Sequence, residues 1–193
     1  MSRRIQIACA ISAFAFCLLC ASSAAGAAAS AAKASSAAGC AGAGTVIANE
    51  AGRAQAVQAT LCLVNGERAR RGAGPVRSSS PLGSSALGHS TNMVNAGFFS
   101  HTSSNGDSLR RRAARAGYIR RSRSTLVGET IAWGAGTYAT PAQLVASFMQ
   151  SRLHRDTLLD RRYRDVGIGM TRGAPMDGDY GPAATLTLNF GRR

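Results

Sequence analysis

Four side chains in this chain are the natural candidates for chemistry: three histidines and one acid. Imidazoles and carboxylates are the groups of metal ligation and of acid–base work. His89 falls on an apolar helical stripe with Leu82, Ala86 and Met93, the setting of a buried, hydrogen-bonded imidazole. His101 follows Phe98-Phe99-Ser100 and leads into a polar turn from Thr102 to Asp107, while His154 precedes Arg155-Asp156. Glu129 lies in an apolar stretch between Gly128 and Ile131, where a carboxylate is costly unless it is paired. Their spacing along the chain is too wide for a local metal motif. Ser100 and Ser151 stand near His101 and His154 as candidate nucleophiles, with Arg155 as a supporting charge, but no nucleophile-elbow sequence surrounds either serine. Outside the apolar N-terminal run, which holds Cys17 and Cys20, there is no C-x-x-C motif; a glycine-rich phosphate loop and a nucleic-acid motif are absent, so no nucleic-acid partner is expected.

The elements that would position these groups are mostly helical at first. Ala54, Val57, Leu61 and Val64 recur at helical spacing and predict a helix over about 51–71, with Gln55, Gln58, Asn65, Glu67 and Arg68 facing outward. Ser80-Pro81 opens a second helix whose stripe is Leu82, Ala86, His89, Met93 and Ala96, and Gly97 stops it. A short third helix over about 108–116 turns Leu109, Ala113 and Ala116 inward. Thr140-Pro141 opens a fourth, with Gln143 completing a capping box. Strands follow: one over about 125–133, one through Val166, Ile168 and Met170, and a last one in which Leu186, Leu188 and Phe190 alternate with Thr185, Thr187 and Asn189. That alternation predicts a half-buried strand. The loop 173–181 joins the last two in antiparallel fashion. Helices precede strands, so the class is α+β.

The N-terminus predicts export. Arg3 and Arg4 precede an apolar run from Ile5 to Ala21, and small residues follow. This is the layout of a cleaved signal over residues 1–28, with no membrane span remaining after cleavage. Residues 29–45 are dominated by Ala, Ser and Gly and predict a flexible segment; the folded domain is expected over 46–193. Cys9, Cys17 and Cys20 would leave with the signal. Cys40 and Cys62 would remain, and in an oxidising compartment they suggest one disulfide. The formal charge is +14, and removing Arg3 and Arg4 leaves +12, nearly all of it arginine. Such a surface attracts polyanions, so an exported chain would meet a cell-envelope polyanion or anionic lipid.

Several motifs together resemble the bacterial branch of the CAP superfamily (cysteine-rich secretory proteins, antigen 5, pathogenesis-related 1). They are Leu63-Val64-Asn65 with Glu67-Arg68-Ala69-Arg70, Ala86-x-x-His89-Ser90, Gly97-Phe98-Phe99-Ser100-His101-Thr102 and Gly128-Glu129-Thr130-Ile131-Ala132. Ser151-x-x-His154-Arg155, Leu158-Leu159-Asp160, Val166-Gly167-Ile168-Gly169 and Asn189-Phe190-Gly191 continue the series. The resemblance implies an α-β-α sandwich with a small antiparallel sheet between helical layers. It also implies a cleft floored by His101, Glu129 and His154, a set able to hold zinc with a position open for water. The family's second glutamate has no counterpart, because that stretch reads Phe148-Met149-Gln150-Ser151. What the resemblance implies is therefore a secreted, non-catalytic binding module for an envelope component or lipid, with a metal-assisted hydrolase using the same cleft as the alternative.

Overall fold

The computed structural model describes residues 39–120 and 124–193. The expected signal and most of the Ala/Ser/Gly segment lie outside the described residues. Helix α1 spans Glu50–Ala69, and its first turn is capped by Asn49, whose Oδ1 accepts from Gly52 N at 2.9 Å. Strand β1 is only Arg77–Ser78. Helix α2 spans Ser80–Ala96 and ends on Gly97 in the left-handed conformation, φ 62°, which glycine adopts without a steric penalty. Then come α3 (Leu109–Arg115), β2 (Leu126–Ala135), a 3₁₀ turn, α4 (Pro141–Gln150), α5 (Arg152–Leu159), β3 (Asp165–Arg172) and β4 (Ala183–Arg192).

The sheet runs β1-β3-β4-β2. Its three long strands are antiparallel, and β1 joins β3 in parallel through Arg77 and Ser78, so the sheet is mixed. The larger core packs Leu63, Val64, Leu144 and Phe148 of α1 and α4 against Ile168, Leu186, Leu188 and Phe190. A smaller cluster of Leu82, Ala113 and Tyr118 forms with α2 and α3. The α+β sandwich expected from the sequence is the observed architecture.

The expected half-buried strand at the C-terminus is instead buried on both faces. Thr185, Thr187 and Asn189 are fully covered, because α2 lies directly on them. Ser90 Oγ donates within 2.8 Å of Thr187 Oγ1 and 2.9 Å of the Gly169 carbonyl, so the polar row is satisfied internally. This close approach requires glycine on β3: a Cβ on Gly167 would fall 2.0 Å from the Leu82 carbonyl carbon, and one on Gly169 2.1 Å from Leu87 N. The two glycines set the depth at which α2 carries His89 over the sheet.

Two further corrections concern α1 and the N-terminal arm. Glu67 and Arg68, expected outside, are buried, and the inward stripe is Ala56, Ala59, Leu63 and Val64. Arg68 is inside because its guanidinium has carbonyls to meet, those of Gly74, Leu158 and Asp160, at 2.7, 2.7 and 3.1 Å. Residues 39–45, expected to be flexible, pack on the domain. Cys40 and Ala43 are buried, Ala43 O accepts from Ala142 N at 2.9 Å, and Cys40 is disulfide-bonded to Cys62 of α1. Such a cross-link stabilises a fold by about 3 kcal/mol. Helix α5 went unforeseen: Ser151 breaks from α4 in an extended conformation, and α5 buries only Leu158. At α4 the Thr140 hydroxyl caps Gln143 N at 3.3 Å, as the capping pattern predicts.

Candidate functional site

Antiparallel pairing sets Glu129 on β2 directly opposite Asn189 on β4, so both side chains rise from the same face of the sheet, toward α2 and α3. Gly128 points the other way, where a Cβ would lie 2.1 Å from the Tyr163 hydroxyl. The Gly-Glu pair thus combines a packing requirement on one face with a site on the other. The Glu129 side chain is only 3% exposed. Its Oε1 accepts from His101 Nδ1 at 2.9 Å, and its Oε2 from Arg112 Nη2 at 2.6 Å. With the Asn189 amide turned so that its nitrogen faces the carboxylate, Nδ2 also donates to Oε2 at 2.8 Å and the amide oxygen accepts from Ser85 Oγ at 3.0 Å. The costly buried acid is therefore paired twice over, as charge burial demands.

Arg112 organises this arrangement. Its side chain is 6% exposed, and its Nη1 donates to the carbonyls of His101 and Asp107 and to Ser103 Oγ, at 3.0, 2.9 and 3.1 Å. One guanidinium therefore fixes both the carboxylate and the backbone of the turn that carries His101. Arg112 is the last of three consecutive arginines, Arg110-Arg111-Arg112, and was not among the expected site residues. The available signal was helical phase: position 112 lies three after Leu109 and one before Ala113, on the inward stripe of α3.

His89 is buried as expected. Its Nε2 donates to the Ser100 carbonyl at 2.9 Å and its Nδ1 accepts from Ser103 Oγ at 3.2 Å, which fixes a neutral tautomer. Burial lowers the His89 pKa; Glu129 Oε1, 3.9 Å from Nε2, favours protonation without overcoming it, and Arg112 adds to the lowering. His101 is 58% exposed on its side chain. Since its Nδ1–H is given to Glu129, its Nε2 edge is the one presented outward. His154 is half-buried with its ring edge against Phe148, 5.4 Å between centroids. Its pKa is lowered by burial and then by His101, so the two imidazoles share one electrostatic neighbourhood.

The structure joins His101 to Glu129, but among the described residues no hydrogen bond or ion pair joins His154 to that carboxylate. No group of three or more His, Cys, Asp or Glu residues among them is placed to hold a metal ion. The donor set does not suit zinc on Glu129 Oε2, which already faces a fixed cation and an amide, and Oε1 is taken up by the His101 Nδ1–H. Ser100 Oγ accepts from Thr102 N at 3.1 Å, and Ser151 serves as the junction of α4 and α5. Neither hydroxyl bonds a histidine among the described residues. Arg155 Nη1 donates to Met149 O at 3.2 Å, closing the end of α4.

With both His89 and His154 held below their ordinary pKa, protonating them opposes folding. The unfolded chain binds the extra protons as pH falls through about 6.5, so stability is lost below that value. Thermal melting should show the midpoint falling from pH 7 toward pH 5, and His89→Asn should flatten that slope.

A three-layer domain with a histidine–carboxylate cluster slung between a strand and the α2–α3 connection defines a protein of the CAP (SCP) class. The chain belongs to the cysteine-rich secretory protein family, whose sequence model matches residues 61–187. Among solved structures it is similar to an extracellular SCP-domain protein of Bacillus anthracis, with 24% identity and a TM-score of 0.59 over 76% of this chain and 45% of that one. An outer surface protein of Borrelia burgdorferi is similar at 16% identity and TM-score 0.57, over 78% of this chain and 98% of its own length. A cysteine-rich secretory protein of Staphylococcus aureus matches at 17% and 0.54, over 73% and 39%. The chain thus spans less than half of the Bacillus and Staphylococcus proteins. At these identities the likeness is one of fold. No curated protein sequence matches significantly. Among the described residues no helix is long and apolar enough to cross a membrane.

Proposed function

We propose that the chain is a secreted, non-catalytic binding module whose cleft, at His101, Glu129 and His154, takes an anionic lipid or envelope polymer. The observation that carries this reading is the double pairing of Glu129. Its Oε2, held by Arg112 and Asn189, is spent on structure, and its Oε1 is bonded by His101, so a general base or metal ligand here would have to give up one of these donors. What the cleft then offers is the outward edge of His101, the half-buried His154, and two exposed apolar side chains next to them in sequence, Phe99 and Leu153, at 43% and 79% exposure. Apolar groups beside imidazoles on a chain of strongly positive charge suit a ligand that is both anionic and partly apolar. The neighbours named as extracellular or outer surface proteins support export.

Purified mature protein should co-sediment with vesicles containing an anionic phospholipid at low salt and be released as salt rises through about 0.15 M, where the screening length shrinks to about 8 Å. Leu153→Asp should weaken that retention. Failure to bind vesicles or teichoic-acid polymer even at low salt would remove the electrostatic basis of the proposal.

A further inference from the structure

A cavity of about 370 Å³ opens between α2, the turn at 103–105 and α3. It shares Arg112 with the cluster described above, but none of His101, Glu129 and His154 lines it. Its volume is at the lower end of the range for ligand sites, about 300–1,000 Å³. Most of the side chains that line it carry a polar group. Ser84, Ser85, Asn92, Ser104, Arg112 and Arg115 supply hydroxyls, amides and two guanidinium groups, and among the described residues no carboxylate lines it.

The wall is preformed. Asn92 Oδ1 accepts from Ser104 N at 3.0 Å and its Nδ2 donates to Ser104 Oγ at 2.8 Å, tying the turn to α2. Asp107, behind the wall, pairs with Arg115 and accepts from Asn105 Nδ2 at 3.0 Å, which orients the guanidinium on one side only. Arg112 forms the rigid inner wall, with both terminal nitrogens engaged by partners of its own. Arg115 is the guanidinium with room to take a ligand: its side chain is 63% exposed and lines the cavity.

We propose that this cavity is a binding site, separate from the histidine cleft, for a small oxyanion carried on a hydroxylated molecule: a sugar bearing a carboxylate or a phosphate. The guanidinium of Arg115 matches the planar geometry of such oxyanions. Serine hydroxyls and asparagine amides, which both donate and accept, match the ring hydroxyls.

Gly88 gives a clean test, because it lines the cavity and a Cβ there meets nothing within 4 Å. Gly88→Leu should fill the space while favouring the helix. Calorimetric titration of the full chain with glucuronate, glucose 6-phosphate and neutral glucose distinguishes the sources of the oxyanion. One or both acids should bind one to one, with glucose at least about tenfold weaker, the scale of one charged hydrogen bond. Gly88→Leu should abolish this binding with an unchanged or raised melting temperature. Arg115→Gln, at a largely exposed side chain, should weaken it about tenfold and serves if the leucine variant folds poorly. Binding of neither acid up to about 10 mM, well above the weak millimolar range, would overturn the proposal. So would equal binding of glucose, or binding that is unaltered in both variants.

Discussion

Replacing Arg112 with methionine should cost the folded state about 4 kcal/mol, within the range for removing one partner of a buried ion pair. Methionine keeps much of the apolar stem, so packing changes little. What is lost is the cation facing Glu129 Oε2 at 2.6 Å, together with the three donations that hold the 101–107 turn. The carboxylate would remain buried with only His101 and Asn189 for company. Chemical denaturation at pH 7 measures the cost directly. The turn carrying His101 should also exchange its amides faster than in the parent, since Arg112 supports the carbonyls of His101 and Asp107. A loss below about 1 kcal/mol, the size of an exposed pair, would mean that the pairing is incidental.

The second large effect is expected at Arg68. This side chain is fully buried and has no carboxylate bonded to it; its nitrogens donate to the carbonyls of Gly74, Leu158 and Asp160. Two of those carbonyls lie at the C-terminus of α5, where helix carbonyls lack partners and the dipole is negative. Burial lowers the Arg68 pKa, but an arginine stays charged in this setting. Arg68→Met should cost about 3 kcal/mol: the bonds to a charged donor are each worth about 1.5–3 kcal/mol, offset by the relief of desolvating the guanidinium. Arg68→Lys should recover less than half of it, because an ammonium cannot span carbonyls on two segments. Urea unfolding of the three proteins gives the comparison, and full rescue by lysine would assign the effect to charge alone.

These two arginines also mark the limit of what was legible in the sequence. Where side chains alternate or recur with a clear period, the elements appear where expected: α2 with its Gly97 stop, α4 with its Thr140 cap, and the antiparallel β3–β4 pair. Cys40 and Cys62 also pair as expected. Polar residues on buried faces were misjudged, because hydropathy places a charged or hydroxyl side chain outside unless a partner is known. Arg68 and Arg112 find their partners 90 and 17 residues away, and Thr187 is covered by Ser90 of a helix 97 residues earlier. Such long-range satisfaction leaves no local trace. Glu129 was conspicuous because an acid in an apolar strand needs a partner; which residue supplied it was not readable, since nothing local sets Arg112 apart from Arg110 and Arg111 beside it. The two-residue β1 is too short to carry a period, and α5, which buries only Leu158, has no apolar stripe to read.

The central claim is that Glu129 is held as a structural carboxylate by Arg112. The most direct measurement is the coupling energy between the two, from a double-mutant cycle of Glu129→Gln, Arg112→Met and the double variant in chemical denaturation at pH 7. The pairing predicts a coupling of at least about 2 kcal/mol, with the double variant more stable than Arg112→Met alone, because the glutamine leaves no charge stranded. Losses that add to within about 0.5 kcal/mol would contradict it, and would return Glu129 to the role of a carboxylate free to act on a ligand.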